Sequence, residues 1–233
     1  MGAFVLVHGA WHGAWCWDRL FHELEAAGHQ VTAVDLPSDD PGATFETYAE
    51  VVAEHMSGDP NDDVTAVGHS LGGLSIPFVP ARARVGRLVY LCALVPVPGS
   101  SFADQLAAEP NMLAAGYAVG LGEPDAEGRR GWQDLDLARE YMYADCSEDD
   151  ARIALARMRL QALGPYGVSC ALDALPDVPS TYILCSEDRL VDPEWSKRVA
   201  RDRLNAHVIE LPGSHSPFWS RPSDLARVLG ELA

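Results

Sequence analysis

The sequence predicts an α/β fold, a mostly parallel sheet flanked by helices with a helical cap inserted into it. Three observations carry this. Over residues 1–95, short apolar runs of strand length alternate with amphipathic stretches. Between residues 96 and 177 the strand signals vanish, and helical segments joined by Gly- and Pro-rich loops take over. Over residues 178–233 the alternation resumes, so the last strands must return to the first sheet. The expected division is a core domain of residues 1–95 and 178–233 and a cap of residues 96–177, with no internal repeat and no low-complexity tract.

Taken in order, residues 4–7 (Phe-Val-Leu-Val) form the first strand. Residues 17–27 carry apolar side chains at helical spacing and stop at Gly28. Residues 30–34 are the next strand, closed by Asp35-Leu36-Pro37. Residues 44–56 are helical, capped by Thr44 and ending near Gly58. Residues 64–67 are a buried strand that runs into Gly68-His69-Ser70-Leu71-Gly72, and a helix can start at Leu71. Pro77 and Pro80 should kink or end that helix early, because proline lacks the donor a helix needs. Residues 87–94 are a further strand. In the cap, residues 133–143 and 148–163 read as helices. Residues 181–185 and 207–211 then read as strands, and 193–203 and 223–232 as helices.

The net charge of -17 argues against nucleic-acid partners and anionic membrane surfaces. With 48% hydrophobic residues the chain can build a substantial core. Nothing approaches a membrane span, and the run at 4–7 is too short for a secretory core. The five cysteines (Cys16, Cys92, Cys146, Cys170, Cys185) are scattered and form no CxxC pair, so reduced thiols in a cytoplasmic protein are expected. No zinc or calcium ligand spacing appears: His8 and His12 are four apart but lie in a Gly-rich loop without further ligands.

The stretch Gly68-His69-Ser70-Leu71-Gly72 fits the G-x-S-x-G elbow, in which serine occupies a sharp turn between strand and helix. A serine nucleophile needs a base, and the base needs an orienting acid. His215, in Pro212-Gly213-Ser214-His215, follows the last strand, where the base belongs in the order Ser, acid, His. A lone loop histidine is ordinarily solvated surface; the elbow reverses that reading. Asp188 follows the strand at 181–185, at the sheet's carboxyl edge, and is preferred by loop position over Glu187 and Asp192. The oxyanion donors are assigned to the backbone N–H groups of Leu71 and of Ala10, the latter in the loop His8-Gly9-Ala10-Trp11. Large apolar and aromatic residues supply the cap: Phe102, Met112, Leu113, Tyr117, Trp132, Tyr141, Met142 and Tyr143. Most of these should simply pack the cap on the sheet. Trp132 and Tyr143, with Trp11 of the oxyanion loop, are the expected substrate-binding residues.

These segments resemble the α/β-hydrolase superfamily. More narrowly, Phe4-Val5-Leu6-Val7-His8-Gly9-Ala10-Trp11-His12-Gly13-Ala14-Trp15, Gly28 to Leu36, and Gly68 to Gly73 resemble the plant methylesterase and hydroxynitrile lyase family and its bacterial esterase relatives. The likeness is looser at Tyr141-Met142-Tyr143 and around His215. It implies the α/β-hydrolase fold, a triad on Ser70, Asp188 and His215, and oxyanion donors on Ala10 and Leu71. The lyase branch implies a threonine in the oxyanion loop and a lysine beside the base. Here those positions are Gly9 and Ser216, and Lys197 is the only lysine. The expected function is therefore a serine carboxylic-ester hydrolase acting through an acyl-enzyme on a small hydrophobic or aromatic ester. No cofactor and no metal are expected. A hydroxynitrile lyase and a hydrolase-fold ligand receptor are the alternatives. The expected partner is a small-molecule ester; a homodimer is compatible with the sequence but not specified by it.

Overall fold

The computed structural model describes residues 2–56 and 63–233. A six-stranded sheet runs through the molecule's centre. Its strands are β1 (Ala3–Val7), β2 (Gln30–Val34), β3 (Val64–His69), β4 (Val85–Leu91), β7 (Ser180–Cys185) and β8 (His207–Leu211), in the order β2-β1-β3-β4-β7-β8. Every pairing in it is parallel. Parallel strands need helical crossovers that cover both faces, which is why β3 is buried at all six positions and reads as a continuous apolar run.

The helical crossovers are α1 (Asp18–Ala26), α2 (Phe45–His55) and α6 (Pro193–Asp202), and α7 (Pro217–Ser220) and α8 (Pro222–Glu231) follow the last strand. Gly28 ends the first crossover at φ +85°, the left-handed position a glycine takes without strain. Thr44 caps α2 by accepting from the Thr47 N–H. Gly58, expected near the end of that helix, lies outside the described residues. After β3 the chain makes two 3₁₀ turns, Ser70–Leu74 and Ile76–Ala81, instead of an α-helix. Pro77 and Pro80 fall in the second and deny it the donors of a longer helix.

β4 is shifted toward the N-terminus of the expected strand. It stops at Leu91 because Cys92 takes φ +45° and breaks the ladder. Between β4 and β7 lie α3 (Phe102–Ala108), α4 (Leu135–Met142), α5 (Glu148–Leu155) and a two-stranded antiparallel sheet of β5 (Arg129–Arg130) and β6 (Gln161–Ala162). That region is thus not free of strands. The expected helix over 148–163 ends at Leu155, because the Arg159 N–H goes to the Trp11 carbonyl and Gln161–Ala162 pair with β5. α3 carries its own signal, a capping box between Ser101 and Asp104. Within this excursion two distant segments pair: the Gly99 N–H donates to the Cys170 carbonyl and the Cys170 N–H to the Ser100 carbonyl.

Candidate active site

β3 delivers Ser70 into a turn at φ +50°, a left-handed conformation that costs a non-glycine residue ~1–2 kcal/mol. Neighbours hold it there. The Leu94 N–H donates to the Ser70 carbonyl at 3.0 Å. The flanking glycines allow close backbone approach: a Cβ on Gly68 would lie 2.9 Å from Ile76 Cγ2, and one on Gly72 would lie 2.7 Å from the Val7 carbonyl oxygen.

Asp188 and His215, from the loops after β7 and β8, meet beside this turn. His215 Nδ1–H donates to Asp188 Oδ2 at 2.8 Å, and Asp188 Oδ1 accepts from the Leu190 and Val191 N–H groups at 2.8 and 3.0 Å. Both carboxylate oxygens are therefore engaged, and the side chain is buried. The pairing leaves His215 Nε2 as the basic nitrogen. Nε2 is buried and has no hydrogen-bond partner among the described residues, Ser70 included. The rival acids are used elsewhere: Glu187 is exposed, and Asp192 caps α6 through the Trp195 N–H.

Three further buried histidines build the surroundings. His8 donates through Nδ1 to the Gly9 carbonyl at 2.8 Å and accepts through Nε2 from the Leu36 N–H at 3.0 Å. In a trans peptide C=O and N–H point in opposite directions. Holding the Gly9 carbonyl therefore turns the Ala10 N–H the other way. His12 donates through Nδ1 to the Ala10 carbonyl at 2.9 Å and accepts the Tyr143 hydroxyl through Nε2 at 2.7 Å. His69 donates through Nε2 to the His215 carbonyl at 2.9 Å, tying the turn at Ser70 to the backbone of His215. Burial keeps all three neutral: it pushes His8 down to about 4, His12 to about 3, and His69 well below its ordinary 6.5. Leu71 is the first residue after Ser70 in its 3₁₀ turn, so that turn gives its N–H no acceptor.

A narrow cleft opens at Ser70, and Ala10, Trp11, Leu71, Phe102, Tyr117 and Tyr166 are among its walls. Trp11, at φ +63°, is pinned by the excursion between β4 and β7: its Nε1–H donates to the Arg130 carbonyl and its own carbonyl accepts from the Arg159 N–H. Trp132 stands behind it, ring to ring at 5.4 Å, outside the cleft's lining. Tyr143 also lies away from the cleft, fully buried with its hydroxyl spent on His12. The reason is the buried polar ring of His12, which needs a donor and takes the nearest one. Tyr166, which does line the cleft, sits in a Gly- and Pro-rich turn at Gly164–Gly167 that carries no signal for it.

Cys92 stands behind the Asp188–His215 pair, its sulfur within 4.8 Å of their nearest donor atoms. Burial pushes its thiol up, so it packs there as a neutral group. All five cysteines carry free thiols. Lys197 is engaged by Glu194 and Glu210 at 3.1 and 3.0 Å, and Arg189 faces Glu140. No helix among the described residues is long and apolar enough to cross a membrane.

With this geometry in hand, the chain's similarity to known proteins is informative. It is 30% identical to methylesterase 2 of Arabidopsis thaliana, over 99% of this chain and 95% of the relative. It is 28% identical to the pyrethroid hydrolase of Sphingobium wenxiniae, over 98% of this chain and 86% of the relative. The crystal structure of polyneuridine aldehyde esterase superposes with a TM-score of 0.84 at 27% identity, covering 100% of this chain and 99% of that one. The sequence profile of the alpha/beta hydrolase family matches residues 4–228. The extent of that match and the shared sheet make this chain a hydrolase, and it belongs to the alpha/beta hydrolase family.

Proposed function

We propose that this protein is a serine carboxylic-ester hydrolase that works through an acyl-enzyme. The observation that carries the reading is the buried His215, held by Asp188 through Nδ1 and left with an unpartnered Nε2 beside a serine at φ +50°. Ser70 Oγ attacks the ester carbonyl carbon while His215 Nε2 takes the hydroxyl proton. The negative charge that develops on the carbonyl oxygen is met by the Ala10 and Leu71 N–H groups. Collapse of this tetrahedral adduct breaks the bond to the alcohol, which leaves with the proton held on His215. Water then adds to the acyl carbon, giving a proton to His215, and the acid departs as Ser70 recovers its hydrogen. Asp188 keeps the imidazole in one tautomer and stabilises its charged form. The apolar walls of the cleft favour a hydrophobic or aromatic ester over a charged one. Relatives named as methylesterases and as a pyrethroid hydrolase support the same chemistry.

The experiment is hydrolysis of p-nitrophenyl acetate by wild type and by Ser70→Ala, His215→Ala and the double variant. Each single change should lower kcat by roughly 10⁴-fold, and the double variant little further, because the two act as one unit. Retained turnover in Ser70→Ala would overturn the mechanism.

Cyanohydrin cleavage is the competing chemistry on the same three residues. It needs a fixed cation where cyanide leaves. Gly9 and Ser216 supply none, and the lone Lys197 is held between two carboxylates. Mandelonitrile should therefore release benzaldehyde at no more than the uncatalysed rate. Ser70-dependent turnover matching the best ester would restore the lyase reading.

A further inference from the structure

We propose a second apolar chamber that receives the acyl arm of the ester and is walled from the catalytic cleft by Phe102. The proposal rests on the ester-hydrolase reading above. A second pocket adjoins the cleft, and Phe45, Leu74, Phe78, Val97, Phe102 and Cys170 are among its lining residues. Phe102 faces both spaces. Its ring lies edge-on to Tyr166 of the cleft at 5.0 Å and to Phe45 of the chamber at 6.4 Å. The partition between the two volumes is thus one side chain thick. A phenyl ring makes no hydrogen bond, so turning it aside costs packing and breaks no polar contact. Phe102 also opens α3, directly after the backbone pairing of Gly99 and Ser100 with Cys170, and the chamber sits beside that pairing.

The lining fixes the class of occupant. It contains no Lys, Arg or His. Glu46 is held by Arg82 at 2.6 Å, and the Gln105 amide donates to the Val95 carbonyl at 3.0 Å. A carboxylate arm would find an acidic neighbour and no cation, whereas an alkyl or aryl arm would find carbon walls. Position fixes which arm enters. Leu74 belongs to the same 3₁₀ turn as Ser70, and Phe78 to the next one, so the chamber lies beside that turn. The acyl arm stays bonded to Ser70 in the acyl-enzyme while the alcohol leaves, so a chamber beside this turn receives the acyl arm. The cleft alone suits a short acyl group. With Phe102 displaced, cleft and chamber together suit a longer one.

The test compares kcat/KM for p-nitrophenyl octanoate and acetate, with acetate as the internal reference. Cys170 is half-buried and the other four cysteines are buried, so N-ethylmaleimide should block the chamber selectively. Partial burial pushes the Cys170 thiol up, so labelling is done at alkaline pH. Cys170→Ser treated in the same way is the control, and Val97→Trp is a second, independent block. The octanoate-to-acetate ratio should fall about tenfold or more in both blocked proteins, the loss expected when roughly two methylenes are denied burial. In Phe102→Ala the same ratio should rise. If the ratio is unchanged in both blocked proteins while acetate turnover still needs Ser70, the chamber is wrong and the esterase reading stands. If neither ester is turned over in a Ser70-dependent way, the esterase reading fails and the chamber's role fails with it.

Discussion

Of His8, His12, His69 and His215, only His215 is held by a carboxylate; its Nε2 and His69 Nδ1 are the ring nitrogens of this group left without a partner among the described residues. The other three spend their donors on carbonyl oxygens: those of Gly9, Ala10 and His215. His8 matters most for the proposed chemistry, because the peptide it grips carries the Ala10 N–H. In His8→Ala that peptide can rotate, and kcat for an ester should fall roughly tenfold or more, towards the ~10²-fold cost of losing an oxyanion donor. KM should change much less. His8→Asn retains a side-chain N–H near the Nδ1 position and should recover part of kcat. Equal loss in both variants, or a loss confined to KM, would remove the peptide-holding role.

At the scale of elements, the elbow is a contact between backbones. A methyl group on Gly72 would lie 2.7 and 2.8 Å from the carbonyl oxygens of Val7 and His8 at the end of β1. Gly72→Ala should therefore destabilise the fold by about 2 kcal/mol or more, in the range for overpacking a rigid site. Gly167, where an added methyl would meet nothing within 4 Å, is the reference. Urea midpoints of the two alanine variants would check this, and equal midpoints would refute it. The same contact explains what could be read in the sequence. Glycine spacing around Ser70 is local, so the elbow is visible in the chain, and chain order then points to Asp188 and His215, which the fold brings within 2.8 Å. Two-residue strands such as β5 and β6 are too short to show a period. Nor could the sequence reveal that Tyr143 serves His12 or that His69 serves the His215 carbonyl. Those bonds join residues 131 and 146 positions apart, and only the assembled sheet brings them together.

For the whole molecule, buried neutral histidines set the response to acid. His8 and His12 have values of about 4 and about 3 in the fold, against 6.5 when exposed. The unfolded chain therefore binds protons first as pH falls, so this contribution is complete above about pH 6.5 and is lost progressively below it. For His8 alone the full loss is of the order of 3 kcal/mol. Carboxylates held low by partners, such as Asp150 beside Arg19, weaken the fold only at lower pH, because their ordinary value is 3.8. Between about pH 6.5 and pH 5 the histidines act first. Urea midpoints should fall across that window in wild type and fall less in a His8→Asn, His12→Asn double variant. A flat wild-type profile would contradict the buried neutral assignments.

The chain leaves the sheet at Leu91 and returns at Ser180 on the neighbouring strand, since β4 and β7 are paired. In polymer terms, everything between them is one loop whose ends are fixed side by side. The entropy of closing such a loop rises only with the logarithm of its length, about 0.6 kcal/mol for each doubling. Insertions and deletions within that stretch are therefore nearly free for the sheet, while each one reshapes the walls around Ser70. The architecture separates the cost of reshaping the walls around Ser70 from the cost of keeping its strained turn in place.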